Sequence, residues 1–216
     1  MRSNTVTNQR TSIFSTKQMV VISLFAALSY VLQLVHLPYK HLGFLEFEFS
    51  DIPAIIATLQ YGPMAGLVIE LIKNLIKALT ASTTAWVGEI TNFFISAAYL
   101  LPIGILYKLK NKNYYRENAG KSKAWNSVYM IFIFCVGVLT MAITGALLNY
   151  FVMVPLYAKF FGGMDSVIGF AAAGMPVIKD LGSLVLLGIT PFNIVKGITI
   201  SVIGYYTYRL LKGRLF

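Results

Sequence analysis

Charged residues are scarce in this chain of 216 residues. Asp, Glu, Lys and Arg together make up 12% of it, whereas hydrophobic residues make up 57%. Soluble domains carry about 25% charged residues, so this chain has too few to cover a surface that faces water. The composition predicts an integral membrane protein that lies in a lipid bilayer. The net charge of +10 then indicates basic cytoplasmic segments rather than a nucleic-acid partner.

The groups that carry out catalysis or hold metals are also rare. Cys135 is the lone cysteine and lies in an apolar run, so an intramolecular disulfide is impossible. His36 and His41 stand in or beside one predicted loop, and no cluster of His, Cys or carboxylate residues has metal-binding spacing. The motifs GxxxxGK[ST], HExxH and GxSxG are absent. We therefore expect no catalytic residue, no metal, no resident cofactor and no phosphate loop for ATP.

Long apolar runs are abundant, and two of them are ambiguous as membrane spans. The run 51–61 is short, because a span needs about 20 residues, and a Gly-Pro turn signal separates it from the next run. The run 166–187 is interrupted by a Gly-Met-Pro sequence and by a Lys-Asp pair. The remaining apolar runs are 17–36, 64–80, 86–107, 124–157 and 188–211.

The distribution of basic residues decides the number of spans. Cytoplasmic segments carry an excess of Lys and Arg, and here these residues concentrate in the N-terminal segment, in 108–123 and at the C-terminus. All three segments share one side only if 51–61 is a separate helix and 166–187 does not cross. The sequence thus predicts an all-α integral membrane protein with six transmembrane helices and with cytoplasmic N- and C-termini. Its parts are a cytoplasmic tail (1–16) and a single six-helix membrane domain (17–212), with an outer loop (37–50) and an outer segment (158–187) over the site.

The outer loop has the pattern of a short lid. Leu45, Phe47 and Phe49 alternate with glutamates, and a period of two indicates an extended segment with one apolar face. Either the loop is only a connector at the membrane surface, or this face covers a molecule bound between the helices. Ser50 or Asp51 is expected to cap the helix that follows.

Polar residues inside apolar helices are costly, and by default they mark functional sites. The predicted helix 64–80 carries Glu70, Lys73, Asn74 and Lys77, and their spacing places all four on one helical face. Glu70 can pair with Lys73 or Asn74 on that face. This set is either a self-contained ion pair that stabilises helix contacts or one side of a polar pocket.

Three further helices carry polar pairs in the halves predicted to lie toward the outside. A lone Asn in a membrane helix often makes only a helix–helix hydrogen bond. Four helices with polar groups at similar depth favour instead a pocket that opens to the outside, with aromatic walls for a planar ligand. A membrane enzyme with Glu70 or Glu89 as general base is a weaker alternative. The candidate residues of the pocket are Glu89, Asn92, Asn149, Tyr150, Asn193 and Lys196.

The first helix has a surface of small residues. Ser23 and Ala27 form a small-xxx-small pair, and Ala26 lies beside them. Small residues let another helix approach closely. This surface either packs inside the protein or docks onto a partner membrane protein.

Four segments together resemble a known family of transport proteins. In their order along the chain they are similar to the riboflavin-specific substrate-binding (S) component of energy-coupling factor (ECF) transporters, the RibU family. The resemblance implies a multi-pass subunit of a prokaryotic cell membrane, which captures riboflavin outside and works with an ECF transmembrane coupling protein and two cytoplasmic ATPases. The segments are FSDIPAIIATLQYGPMAGLVIELIKNLIK (49–77), VGEITNFFISAAYLLP (87–102), LLNYFVMVPLYAKFFG (147–162) and GITPFNIVKGITISVIGY (188–205).

The resemblance also implies roles for single residues. Contacts of the flavin ring match Asn149, Asn193 and Lys196, and the docking surface for the coupling protein matches the small residues of the first helix. An S component for another vitamin or for a nucleobase-like compound stays open as the alternative. With the lid and pocket residues inferred above, the predicted ligand-binding set is Asn149, Asn193, Lys196, Asn92, Glu89, Tyr150, Leu45 and Phe47.

Overall fold

A computed structural model describes residues 13–42, 45–117, 123–160 and 162–214. Within these residues the chain forms helices, two π-helical turns and one β-hairpin. Most of the predicted cytoplasmic tail and part of the predicted basic loop lie outside the described residues. In chain order the elements are α1 (Thr16–Leu34), β1 (His36–His41), β2 (Leu45–Glu48), α2 (Asp51–Tyr61), α3 (Pro63–Thr80), α4 (Val87–Glu117), α5 (Lys123–Leu148), a first π-helical turn (Asn149–Met153), α6 (Val154–Phe160), α7 (Met164–Gly174), α8 (Leu181–Ser183), a second π-helical turn (Leu184–Ile189) and α9 (Thr190–Leu211).

Four helical runs among the described residues are long and apolar enough to cross a membrane. α5 continues through the first π-helical turn into α6, and α8 continues through the second into α9. α2 has 11 residues and is about 16 Å long, roughly half of the hydrocarbon core, and α3 carries three charged side chains. The chain is therefore a helical membrane protein, and the four runs are Thr16–Leu34, Val87–Lys110, Ser127–Phe160 and Leu181–Leu211.

α2 and α3 form a helical hairpin at the centre of the protein. Gly62 ends α2 with a φ of 99°, a left-handed value that favours glycine, and its N–H donates to the Thr58 carbonyl at 3.0 Å. Pro63 then begins α3, where its missing N–H costs no helical hydrogen bond. Residues equally far from Gly62 on the two helices therefore lie side by side, as Asp51 and Lys73 do.

Two apolar clusters hold the helices together. In the larger one, Ala54, Ile55 and Ala57 of α2 are completely buried among α1, α3, α4 and α9. The smaller one joins Leu42 of the β-hairpin to Ala171 of α7 and to the second π-helical turn. The hairpin and α7 therefore pack together over one end of the helices.

The outer loop and the start of the last helix differ from the prediction. The outer loop contains an antiparallel β-hairpin, so the fold is not purely α-helical, although the extended segment predicted there is confirmed as β2. The last helix begins at Leu181 rather than at 188. The second π-helical turn precedes Pro191, so the helical backbone runs on past a residue without an N–H.

The predicted cap of α2 is also wrong. Ser50 stands at the N-cap position, but its side chain makes no capping hydrogen bond, and Asp51 is already the first helical residue. Both side chains instead accept hydrogen bonds from the Lys73 ammonium, at 2.9 and 2.6 Å. A buried ammonium without acceptors is costly, and so this tertiary contact overrides the local capping signal.

Hydroxyl contacts show which helix ends lie together. Tyr107 of α4 and Tyr208 of α9, both toward the C-terminal ends of their helices, lie 3.0 Å apart. Tyr30 of α1 and Thr80 at the end of α3 lie 2.8 Å apart. The start of α4 adjoins α3, because Asn92 donates to Asn74. α1 and α3 therefore end on the side where α4 begins, away from Tyr107 and Tyr208.

We predict that Gly66→Ala destabilises the protein. A Cβ on Gly66 would lie 2.0 Å from Thr58 Oγ1 and 3.0 Å from the Ala54 carbonyl oxygen, so α2 and α3 would have to separate. Overpacking of this kind costs about 1–3 kcal/mol, and the unfolding temperature of the detergent-solubilised protein should fall by several degrees. The matched control is Gly169→Ala in α7, where a Cβ meets nothing within 4 Å. Equal unfolding temperatures for the two variants would contradict the close packing of α2 on α3.

Candidate functional site

A cavity of about 700 Å³ lies at the end of the bundle where α1 and α3 finish. This volume is in the range of sites for small molecules, roughly 300–1,000 Å³. β2 and α7 contribute to its wall, in agreement with the prediction that the outer loop and outer segment lie over the site. The helices contribute polar side chains, among which are Gln33, Lys77, Glu89, Asn92, Asn149, Asn193 and Lys196.

The glutamates of β2, rather than only its apolar residues, face this cavity. Glu48 is 6% exposed, and its Oε1 lies 3.3 Å from Lys196 Nζ. Glu46 Oε2 lies 4.0 Å from Lys77 Nζ. The glutamates that alternate with the apolar residues of β2 therefore also reach the cavity, where the Lys77 and Lys196 ammonium groups attract their carboxylates.

Asp51 is the centre of a buried cluster of charges beside the cavity. Its Oδ1 lies 2.6 Å from Lys73 Nζ, and its Oδ2 lies 3.2 Å from Lys196 Nζ. Lys73 also lies 2.6 Å from Glu70, so the predicted pairing on the face of α3 is confirmed. Ser96 of α4 donates to Asp51 as well. One carboxylate thus connects side chains of α3, α4 and α9. This role could not be seen in the sequence, where Asp51 resembles a helix cap.

Asn149 and Asn193 stand on facing helices and are both nearly buried. Each Nδ2 donates to a backbone carbonyl four residues earlier, that of Gly145 at 2.7 Å and that of Ile189 at 3.1 Å. Gly145 also makes room for the second amide, because a Cβ there would lie 2.7 Å from Asn193 Nδ2. Both amides are therefore held by their own helices beside the π-helical turns, which are frequent at functional sites.

Asn92 and Glu89 lie at the other side of the cavity. Asn92 Nδ2 donates to Asn74 Oδ1 at 3.1 Å. Glu89 Oε2 accepts from the hydroxyls of Ser82 and Thr84 at 3.0 and 3.1 Å. The partners of Glu89 in this region are therefore hydroxyl groups and not Lys196. Lys196 pairs instead with carboxylates of α2 and β2.

The aromatic walls differ from those predicted. Tyr150 is 42% exposed, lies edge to face against Phe151 and does not line the cavity. The first π-helical turn contains both residues, and within it Asn149 and Met153 face the cavity instead. Phe47 also lies behind the wall and contacts Phe192, which does line it. Leu45, as predicted, belongs to the wall, together with Tyr157, Phe170 and Phe192.

The small residues of α1 separate into two faces. Ser23 and Ala27 are exposed beside Leu24 and Leu28, which are 64% and 48% exposed. Ala26 is 1% exposed and belongs to the larger apolar cluster. Ala26 therefore packs inside the protein and cannot form part of a docking surface, whereas Ser23 and Ala27 remain accessible.

Sequence reasoning missed Gln33 of α1. This residue is 2% exposed, lines the cavity and donates from Nε2 to Asn74 Oδ1 at 3.1 Å. Its signal was present, because it is an amide within the apolar stretch of α1 that follows Gln18, and such residues mark sites in membrane proteins.

These features define a helical membrane protein with a small-molecule cavity at one end of its bundle. The family described as "ECF transporter, substrate-specific component" matches residues 17–208. The chain belongs to this family.

Relatives and a solved structure agree with this assignment. The chain is 33% identical to the riboflavin transporter FmnP of Bacillus subtilis (strain 168), over 91% of this chain and 92% of that protein. It is 32% identical to the riboflavin transporter RibU of Staphylococcus aureus (strain TCH60), over 92% of each. A solved structure described as "Structure and mechanism of the S component of a bacterial ECF transporter" superposes with a TM-score of 0.65 and 30% identity, covering 92% of this chain and 97% of that one. These relatives are named as transporters and not as enzymes.

We predict that Asp51→Asn strongly destabilises the protein. The amide leaves Lys73 and Lys196 without their shared counter-charge, and breaking a buried ion pair costs about 3–5 kcal/mol. The unfolding temperature in detergent should fall much further than for Asp165→Asn, which removes an exposed carboxylate from the first turn of α7. Similar unfolding temperatures for both variants would show that the cluster contributes little.

Proposed function

We propose that this chain is the riboflavin-binding subunit of an ECF transporter. The observation that carries the proposal is a cavity walled by Asn149, Asn193 and Lys196, in a chain that aligns along almost its full length with transporters named for riboflavin. An S component for another vitamin or a nucleobase-like compound is not favoured, because the relatives reported above are riboflavin transporters.

The chemistry of the wall suits the flavin ring. The ring edge alternates carbonyl acceptors with one N–H, and an amide side chain offers both a donor and an acceptor to such an edge. In Asn149 and Asn193 one N–H is used by the helix backbone, which leaves the other N–H and Oδ1 for a ligand. The Lys196 ammonium is a donor for a ring carbonyl. The apolar faces of the ring would meet Leu45, Phe192 and their neighbours.

We further propose that the chain crosses the membrane six times and has cytoplasmic termini. α2 and α3 supply the two crossings that length and hydropathy do not identify, as a hairpin whose first helix is shielded from lipid by its neighbours. The contact between Tyr107 and Tyr208 supports one shared side for the basic segment after α4 and the basic C-terminus. The cavity lies at the opposite end and would open to the outside of a prokaryotic cell membrane.

Uptake in this proposal needs partners that hydrolyse ATP. The sequence has no phosphate-binding loop of its own, so the energy would come from an ECF transmembrane coupling protein and two cytoplasmic ATPases. Ser23 and Ala27 form the surface of α1 that a partner helix can approach closely. In this proposal Ser23 and Ala27 form the docking surface, whereas the buried Ala26 is not part of it.

We predict that the wild-type protein quenches riboflavin fluorescence, and that Asn149→Ala and Asn193→Ala each weaken the binding at least fivefold. The loss of a buried hydrogen bond costs about 1–3 kcal/mol, which corresponds to a factor of about 5 to 160. The matched controls are Val152→Ala and Val195→Ala, which shorten lipid-facing side chains of the same helical runs. These controls should retain the wild-type dissociation constant.

The outcome separates the function from the assignment of residues. A folded wild-type protein that fails to quench riboflavin would refute the proposed function. Normal quenching by both Asn variants would refute only the ligand role of the amides.

We predict that Ala27→Trp abolishes riboflavin uptake by cells but leaves riboflavin binding by the purified subunit unchanged. The indole would hold a partner helix away from α1, while the cavity lies elsewhere. The matched control is Val195→Trp, a bulky substitution on the lipid face of α9, which should retain uptake. Full uptake with Ala27→Trp would exclude this surface as the docking site.

A further inference from the structure

Gln33 brings α1 into the wall of the cavity. The side chain is 2% exposed, and its Oε1 has no hydrogen-bond partner among the residues that the structure describes. A buried carbonyl oxygen without a donor costs about 1–3 kcal/mol and is rare in folded proteins, so its position needs an explanation. Gln33 lines the cavity, and a donor placed there could satisfy this oxygen.

Asn74 fixes which atom of the Gln33 amide is the acceptor. Asn74 Nδ2 lies 2.9 Å from the Glu70 carbonyl oxygen and 3.4 Å from Glu70 Oε2, and both are acceptors. This end of the Asn74 amide must therefore be its NH₂ group. Its Oδ1 then accepts from Gln33 Nε2 at 3.1 Å, so Gln33 must turn its NH₂ group to Asn74 and present Oε1 elsewhere.

The contact with Asn74 also fixes the orientation of the Asn92 amide. Asn74 Oδ1 also accepts from Asn92 Nδ2 at 3.1 Å, so this amide too uses its NH₂ group on Asn74. Two side chains that line the cavity are thereby turned so that their carbonyl oxygens are the groups left for an occupant. The Glu89 carboxylate adds further acceptor capacity at this side. This part of the cavity suits a ligand that brings hydrogen-bond donors.

We infer that Gln33 is a ligand-binding residue whose Oε1 accepts a hydrogen bond from a hydroxyl group of the ligand's polyol chain. The inference rests on the proposed function and extends it. Asn149, Asn193 and Lys196 are assigned there to the ring edge, which leaves the polyol chain for the side of Gln33 and Asn92. Asn74 is a positioning residue in this scheme, because it orients both amides without lining the cavity.

The contact between Gln33 and the ligand matters for transport because Gln33 lies on α1. α1 carries Ser23 and Ala27 on its exposed face and Gln33 in the cavity wall. The helix proposed to dock onto the coupling protein would therefore touch the ligand directly. The polyol chain, and not only the ring, would be in contact with that helix.

The test compares two flavins on two variants. Riboflavin carries the polyol chain, whereas lumiflavin has the same ring with a methyl group in its place. Dissociation constants are measured by fluorescence quenching for the wild-type protein, for Gln33→Met, which keeps the length of the side chain, and for Leu28→Met, a lipid-facing control on α1. We expect Gln33→Met to weaken riboflavin binding about tenfold, the equivalent of ~1.4 kcal/mol, and to change lumiflavin binding less than twofold.

Each other result has a defined meaning. An equal loss of affinity for both flavins would show that Gln33 only supports the structure, and unchanged affinity for both would show that it contacts neither; either result overturns the inference. Leu28→Met should match the wild-type protein with both ligands. Failure of the wild-type protein to bind either flavin would instead refute the proposed function, which makes the two failures distinguishable.

Discussion

The buried Asp51 carboxylate, shared by two lysines, is the interaction on which the geometry of the site depends. Asp51 and Lys73 are completely buried, and Lys196 is nearly so. Removing such charges from water costs several kcal/mol each unless they are paired closely. Each oxygen of Asp51 meets the lysine of a different helix, so α2 fixes α3 and α9 relative to each other. Because Lys196 also meets Glu48 of β2, the same cluster ties the covering hairpin to the helices.

Much of the site could be predicted from the sequence, because its polar residues are exceptions in apolar helices. Glu70, Lys73 and Asn74 recur on one helical face, and their pairing followed from spacing alone. Asn193 and Lys196 stood out in the last apolar run for the same reason, and both line the cavity. Polar side chains are costly in lipid-embedded helices and are seldom there without a function. Their positions in the sequence therefore indicate where the site lies.

The remaining features depend on tertiary contacts that no local pattern encodes. Asp51 has the sequence context of a helix cap, and only the return of α3 after Gly62 brings Lys73 beside it. Tyr150 follows Asn149 directly in the sequence. The π-helical turn, which places Asn149 in the cavity wall and Tyr150 on the exposed surface of the helix, could not be predicted. Helical periodicity assumes regular turns, so it fails where the backbone leaves the α-helical spacing.

The two lysines of the Asp51 cluster differ in what they can still bind. The Lys73 ammonium has three N–H groups and three acceptors within 2.9 Å, from Ser50, Asp51 and Glu70, so its donors are saturated. It lies outside the cavity wall, and its role is structural. Among the residues that the structure describes, Lys196 meets two carboxylates, those of Glu48 and Asp51, and it lines the cavity. One N–H of Lys196 therefore remains for an acceptor in the cavity, so the same ammonium can stabilise the fold and bind a ligand.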